Sequence, residues 1–223
     1  MEETLIKSKA RVQNHGEVFT PDWMVKKMLA EPSIKEKLQD LHATFLEPSA
    51  GEGAFLIEIL SQKLDHVDQI SSKSSWVNNA LWALMSIYGI ELLQDNLHIA
   101  RSKMLDIVGK RYEQFLGKKL SKRTDFYRAA KFLIHTNVVQ GNTLTYKNNI
   151  GDLIMFSDWT PIDSKHVKRE VFTYKSLFDG SNSTEPLDEQ LDLFSLNDNP
   201  EPKQNTYAIC LVTKIYKEEK ENE

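Results

Sequence analysis

The stretch Phe45-Leu46-Glu47-Pro48-Ser49-Ala50-Gly51-Glu52-Gly53-Ala54-Phe55-Leu56 limits what this chain can become more than any other. An apolar run ends in a carboxylate, two glycines follow at close spacing, and apolar residues then resume at helical intervals (Phe55, Leu56, Ile59, Leu60). The pattern predicts a buried strand, a tight turn and a helix starting near Ala54. Gly51 and Gly53 let the backbone approach a ligand closely, and such a helix directs its partly positive N-terminus at it. An α/β protein builds a nucleotide pocket in this way, at the carboxyl end of a strand. The dinucleotide fingerprint G-x-G-x-x-G is only half present, because Leu56 stands at the third glycine position.

With 223 residues the chain can bury one substantial core, and one domain with appendages is expected. No apolar run reaches the roughly 20 residues that a bilayer span requires, and Met1 to Arg11 is too polar for a secretory signal. The chain therefore reads as cytoplasmic, with no membrane partner. A single cysteine, Cys210, excludes an internal disulfide, and its apolar neighbours suggest a buried thiol. The six histidines are scattered singly, so no metal site is expected. The net charge of -4 does not announce a nucleic-acid binder, but the distribution is uneven. Nine Lys or Arg face three acids between Lys103 and Lys131, a run that suits either a solvated helix face or phosphate contacts.

In chain order, residues 1–15 are polar and read as a flexible N-terminus. Thr20 is placed to cap a helix whose first residue is Pro21, which presents Val25, Met28 and Leu29 and stops near Pro32. Helical patterns follow at Phe55–Leu64 and Trp76–Leu84. Ile87-Tyr88-Gly89-Ile90-Glu91-Leu92 reads as a second parallel strand, ending where Glu91 can accept both ribose hydroxyls of a nucleotide. Two further helical patterns, Leu92–Val108 and Asp125–Leu133, precede a third strand and turn within Thr136–Leu144, which carries Asn142. Asp152-Leu153-Ile154-Met155-Phe156 looks like a central strand of the same sheet, and Lys168–Tyr174 alternates like a hairpin. These elements define one domain over 16–178. An acidic linker or loop, partly disordered, is expected over 179–205, and a returning strand with a charged tail over 206–223.

The glycine stretch resembles the first motif of the S-adenosylmethionine-dependent adenine-N6 DNA methyltransferases of restriction-modification systems, where this loop wraps the methionyl part of the cofactor. Phe19-Thr20-Pro21 is similar to the segment that closes over the same end of the cofactor, and Gly89-Ile90-Glu91-Leu92 with Asn96, Ala100 and Arg101 resembles the second motif. The resemblance runs from about Gly16 to Phe156. It implies a Rossmann-like, doubly wound, mostly parallel sheet that binds S-adenosyl-L-methionine. The matching positions are Phe19, Thr20, Pro21, Glu47, Pro48, Ser49, Ala50, Gly51, Gly53, Glu91, Leu92 and Asn142. At Asn142 the family usually holds an Asp that pairs with the adenine amino group; an amide oxygen can also accept there.

The resemblance breaks after Phe156. The family's catalytic tetrapeptide contains Pro-Pro between a polar and an aromatic residue, and holds a flipped adenine by its amino group and its face. This chain has Ser157-Asp158-Trp159-Thr160-Pro161 instead. Ser157 can stand for the polar member and Trp159 for the aromatic, with Asp158 between them, one residue short of the family spacing. The resemblance implies a DNA adenine-N6 methyltransferase or its cofactor-binding subunit. A catalytically inactive cofactor sensor or assembly subunit, and a methyltransferase acting on another substrate such as protein glutamine, remain open. The chain leaves little room for a target-recognition region, so a partner subunit is expected to supply DNA specificity. Gln190-Leu191-Asp192-Leu193-Phe194, within the acidic segment, is similar to the pentapeptide by which bacterial proteins dock on the DNA polymerase sliding clamp.

Overall fold

The computed structural model describes residues 6–178 and 207–219. The chain opens on α1 (Lys9–His15), which Ser8 caps by accepting the Arg11 N–H and which Gly16 ends in the left-handed conformation at φ 65°. The expectation of a loose N-terminus is corrected for residues 6–15, because Lys7 and Arg11 tie them to Asp95, 88 and 84 residues away. In α2 (Asp22–Leu29) the cap is the Pro21 carbonyl, which accepts from Met24 and Val25; Thr20 does not cap it. Val25 and Leu29 are buried as expected, but Met28 is 53% exposed. Pro32, read as a stop, begins α3 (Pro32–Leu38), where its missing N–H costs nothing.

Strands β1 (Phe45–Glu47), β2 (Ile87–Glu91) and β3 (Val138–Gln140) form a parallel sheet in the order β1-β2-β3, with Phe45 beside Ile87 and Glu91 beside Gln140. The crossovers are α4 (Ala54–Ile70) and α5 (Trp76–Met85), then α6 (Gln94–Leu116) and α7 (Asp125–Asn137). All five residues of β2 are buried, because both faces of the sheet are covered. On one face Gly89 lets Leu56 of α4 approach: a Cβ there would stand 2.8 Å from the Leu56 Cδ1. On the other, Tyr88 donates its hydroxyl to the Ser157 carbonyl at 2.8 Å and sets its ring edge-on to Phe156. Trp76, Tyr112, Phe115 and Phe126 join α5, α6 and α7 in one aromatic cluster. Lys63 of α4 is fully buried, donates to the Asp40 and Ala43 carbonyls at 2.7 and 2.8 Å, and lies 5.2 Å over the Phe45 ring. Burial pulls its ammonium pKa down to about 7.

The expected fourth parallel strand is overturned. Met155–Pro161 (β4) pairs antiparallel with His166–Thr173 (β5), and Cys210–Leu211 (β6) pairs antiparallel with β5. The reason lies in the connection: only Ile162 to Lys165 separate β4 from β5, enough for a hairpin, whereas a parallel return needs a crossover of a dozen residues or more. The expected returning strand thus joins this second sheet, and a 3-10 turn over Val212–Lys217 follows, burying Val212 and Ile215. Gln190 to Phe194 lies outside the described residues. Among those residues no strand pairs with the outer edge of β1. Phe45 and Glu47 face β2, so the N–H and C=O of Leu46 point the other way, and all three residues are only half-buried. No helix among the described residues is long and apolar enough to cross a membrane.

Candidate functional site

Parallel pairing brings the carboxyl ends of three strands to one side, and with them the loops that start at Pro48, Leu92 and Gly141. Each loop is pinned to its neighbour. Ala50 N–H donates to the Ile90 carbonyl at 2.9 Å, Gly141 N–H to the Glu91 carbonyl at 3.0 Å, and the Gln140 amide to the Leu92 carbonyl at 3.1 Å. Within the glycine loop, Ser49 N–H donates to Glu47 Oε1 at 3.0 Å, and burial raises the pKa of that carboxyl. Gly51 and Gly53 both sit at positive φ, 54° and 90°, as the sequence required. Gly53 also has no room for a side chain, since a Cβ would meet the Ala100 Cβ at 2.9 Å. Helix α4 then begins at Ala54 with no side-chain cap, leaving its first N–H groups directed at the crevice.

Glu91 is the centre of the site. Its Oε2 accepts the Gly51 N–H at 2.7 Å and its Oε1 the Leu93 N–H at 2.8 Å, so one carboxylate fixes two loops. A carboxylate has about four lone-pair positions, and with the Asn96 amide 3.4 Å from Oε1 three are engaged, which leaves one on Oε2 for a hydroxyl donor from a ligand. Phe19 lies over Gly51, its ring 3.5 Å from where a Cβ would stand, which brings the Phe19-Thr20-Pro21 segment to the glycine loop. Leu92 is 46% exposed at the same strand ends. Asn142 is present there too, but its Oδ1 already accepts the Leu144 N–H at 2.9 Å, which leaves a single lone pair for an amino group.

Behind Glu91 lies a second layer of polar residues, of which only Asn96 was named from sequence, in the second motif and not among the site residues. Asn96, 1% exposed, donates to Glu17 Oε1 at 2.6 Å and reaches Glu91 Oε1 at 3.4 Å. Arg11 bridges Glu17 and Asp95. Burial works to raise the Glu17 pKa, but bonds from Arg11 and Asn96 outweigh it and hold the carboxyl low. Arg11 likewise holds Asp95 well below the usual carboxylate range. The signals that could have found this layer are Gly16, a helix-end glycine just before Glu17, and the acidic first turn of α6 at Asp95.

Ser157, Asp158 and Trp159 do not join this site. They lie inside β4, where alternation sends Ser157 and Trp159 to the buried face, 1% and 6% exposed. Ser157 Oγ accepts the Arg169 Nε–H at 2.9 Å, and Trp159 Nε1 donates to Asn137 Oδ1 at 3.1 Å. Asp158, on the opposite face, accepts from the Thr160 hydroxyl at 3.0 Å, and burial raises its pKa. No hydrogen bond among the described residues links the three to the glycine loop, Glu91 or Asn142. A cavity of about 310 Å³ near Trp159, bordered by Arg169, Tyr207 and Cys210, is a gap beside the Arg169 stack on Tyr207 and stands apart from the strand-end crevice.

Except for Lys103, which pairs with Glu52 of the glycine loop at 3.1 Å, the basic run is also away from the crevice. Lys118, Lys119, Lys122 and Arg123 are exposed on the turn between α6 and α7. Helix α6 starts beside Glu91 and is 23 residues long, about 35 Å at 1.5 Å per residue, so that turn stands at the far end of the sheet. Arg111 of the same run serves the fold, on Asp65 and Asp68, as does Arg101 just before it, on the Val138 carbonyl. Among the described residues no group of three His, Cys, Asp or Glu could hold a metal ion. Comparison with protein-family models, curated proteins and solved structures finds no match for this chain.

Proposed function

We propose that the chain is the S-adenosyl-L-methionine-binding subunit of an adenine-N6 DNA methyltransferase, dependent on a partner for target recognition and for the residues that hold the acceptor base. The observation that carries this reading is Glu91, a carboxylate tied to the Gly51 and Leu93 N–H groups that keeps a lone pair on Oε2 for one ribose hydroxyl and gains a second position where the long 3.4 Å Asn96 bond on Oε1 gives way. The order β1-β2-β3 matches one half of a Rossmann-like doubly wound sheet, with the glycine loop next to the edge from which a second half would start. In the bound state the methionyl part would lie along Gly51 and Gly53 under Phe19, the ribose on Glu91, and the adenine between Leu92 and Asn142. The cofactor supplies a sulphonium methyl for in-line displacement by a base amino nitrogen. This chain's residues hold and orient it, which is where most of the acceleration arises.

Burial of Ser157 and Trp159 favours a subunit over a self-sufficient enzyme, and it equally supports a second reading, a cofactor sensor with no catalysis. Two measurements separate the readings. Calorimetry with S-adenosylmethionine and S-adenosylhomocysteine should show binding; none at millimolar ligand sinks both. Transfer of labelled methyl to mixed DNA should be absent with the chain alone and appear with the product of a neighbouring gene. Binding without transfer in every such combination would leave only the sensor.

A further inference from the structure

Residues 6–19 cross the strand-end crevice and are held there by charge. Lys7 Nζ donates to Asn96 Oδ1 at 2.5 Å and pairs with Glu52 Oε1 at 2.9 Å and Asp95 Oδ2 at 3.2 Å, which uses all three of its N–H bonds. It also stands 5.8 Å over the Phe19 ring. Arg11 reaches Asp95 Oδ2 at 2.7 Å through Nη1 and Glu17 Oε1 at 2.8 Å through Nη2. Lys103, from α6, shares Glu52 at 3.1 Å. Two cations of the N-terminal strap therefore bind one carboxylate of the glycine loop and one at the start of α6, on either side of Glu91.

What lies beneath is shut off. Glu91 is 6% exposed and Asn96 almost fully buried, and the strap's own Glu17 reaches down to Asn96 with its side chain 7% exposed. A nucleoside cannot bring two hydroxyls to a carboxylate so enclosed unless the cover moves. The cover most easily moved is the strap, since α1 has only seven residues and no buried apolar side chain, while Lys7, Arg11 and Asp95 keep 25%, 26% and 52% of their side chains in solvent. Ion pairs in such positions are strongly screened: the Debye length falls from about 8 Å at physiological salt to about 3 Å at 1 M.

We propose that residues 6–19 form an ion-latched gate over the crevice, locked by Lys7 and Arg11 on Glu52 and Asp95, and that its opening admits a nucleotide-bearing ligand to Glu91. The identity of that ligand rests on the reading of Glu91 as a ribose-binding carboxylate; the latch and the enclosure do not.

Carbodiimide labelling of carboxylates, read by mass spectrometry together with amide hydrogen exchange, tests the gate without needing the ligand. In wild type at low salt Glu91 should label slowly relative to exposed Glu113. In Arg11→Met, in Asp95→Asn, or at 1 M NaCl, Glu91 labelling and exchange over residues 9–17 should rise together by about tenfold, with exchange in α4 and β2 unchanged as the check on folding. A Lys35→Met control should move neither. Unchanged Glu91 labelling despite faster strap exchange would show that the strap is not the gate, and unchanged exchange would show that there is no latch. Added S-adenosylhomocysteine should suppress both signals in wild type. Failure of that arm alone overturns the ligand and leaves the gate standing.

Discussion

Glu91 and Gly51 lie 40 residues apart in sequence and meet through one bond, the Gly51 N–H to Glu91 Oε2 at 2.7 Å. The bond makes the carboxylate both a structural brace and the candidate ribose acceptor. Replacing it should therefore be felt twice.

Glu91→Ala leaves the part-buried Gly51 and Leu93 N–H groups without their partner. A loss of about 1–3 kcal/mol in stability is expected in all, since water can reach part of each group once the carboxylate is gone. Affinity for S-adenosylhomocysteine should fall about 10- to 150-fold. Glu91→Gln, which keeps one acceptor oxygen, should recover part of the stability and less of the affinity. Urea unfolding and calorimetry on the same preparations check both, and unaltered affinity in the folded Ala variant would remove Glu91 from the ligand site.

Gly53→Ala tests the turn itself. At φ 90° an L side chain is strained, and the new methyl would meet Ala100 Cβ at 2.9 Å and its Cα at 3.2 Å. Roughly 1–3 kcal/mol of destabilisation is expected. Gly117→Ala, also at positive φ but with open space around it, should cost less in the same urea titration. Equal losses would mean that the Ala100 contact does not matter.

Trp159→Phe distinguishes a core residue from a base-stacking one. It removes the donor to Asn137 Oδ1 and leaves a buried acceptor unpaired, about 1–3 kcal/mol. Stability should fall while S-adenosylhomocysteine binding is retained. Wild-type stability with lost DNA methylation, in the presence of a partner, would restore Trp159 to the acceptor site.

Lys63 makes a pH prediction with a fixed sign. Its folded pKa is lowered to about 7 from an unfolded value of 10.5, so between those limits the unfolded chain binds more protons and stability rises with pH. Below pH 7 the cost of burying the charge is present in full. The difference in stability between wild type and Lys63→Met should move toward wild type as the pH is raised from 7 to 9.5, and a flat difference would show that Lys63 keeps its ordinary pKa when folded.

The glycine loop and Glu91 were legible because each is a local pattern: an apolar run, then the residue types that a tight turn or a strand end demands. Helix α4 begins at Ala54, near where the pattern put it for the same reason, and runs on to Ile70, past the expected Leu64. The strap was not legible, because the partners of Lys7 and Arg11 lie 88 and 84 residues away and an ion pair leaves no periodic trace in sequence. The strand at Met155 was found but given the wrong neighbour. A short apolar run looks alike in a parallel and an antiparallel sheet, and what decided the matter was the brevity of the link from Pro161 to His166. Ser157 and Trp159 followed from that choice, since their expected role depended on residues 152–156 being a central strand of the parallel sheet that ends just before them. For Gln190 to Phe194, outside the described residues, the clamp-docking reading stands as a proposal. A fluorescence titration against the host sliding clamp should show binding by wild type and none by a Leu193→Ala, Phe194→Ala double variant.

At the rim of the parallel sheet, Leu46 holds out a donor and an acceptor that β2 cannot use. Natural sheets seldom leave a rim bare, because any extended segment can copy itself onto it. Solubility is then a matter of company. Among the described residues nothing pairs with that rim, and if the partner proposed above completes the sheet, the chain is expected to thicken into oligomers when concentrated alone and to stay dispersed when made beside it.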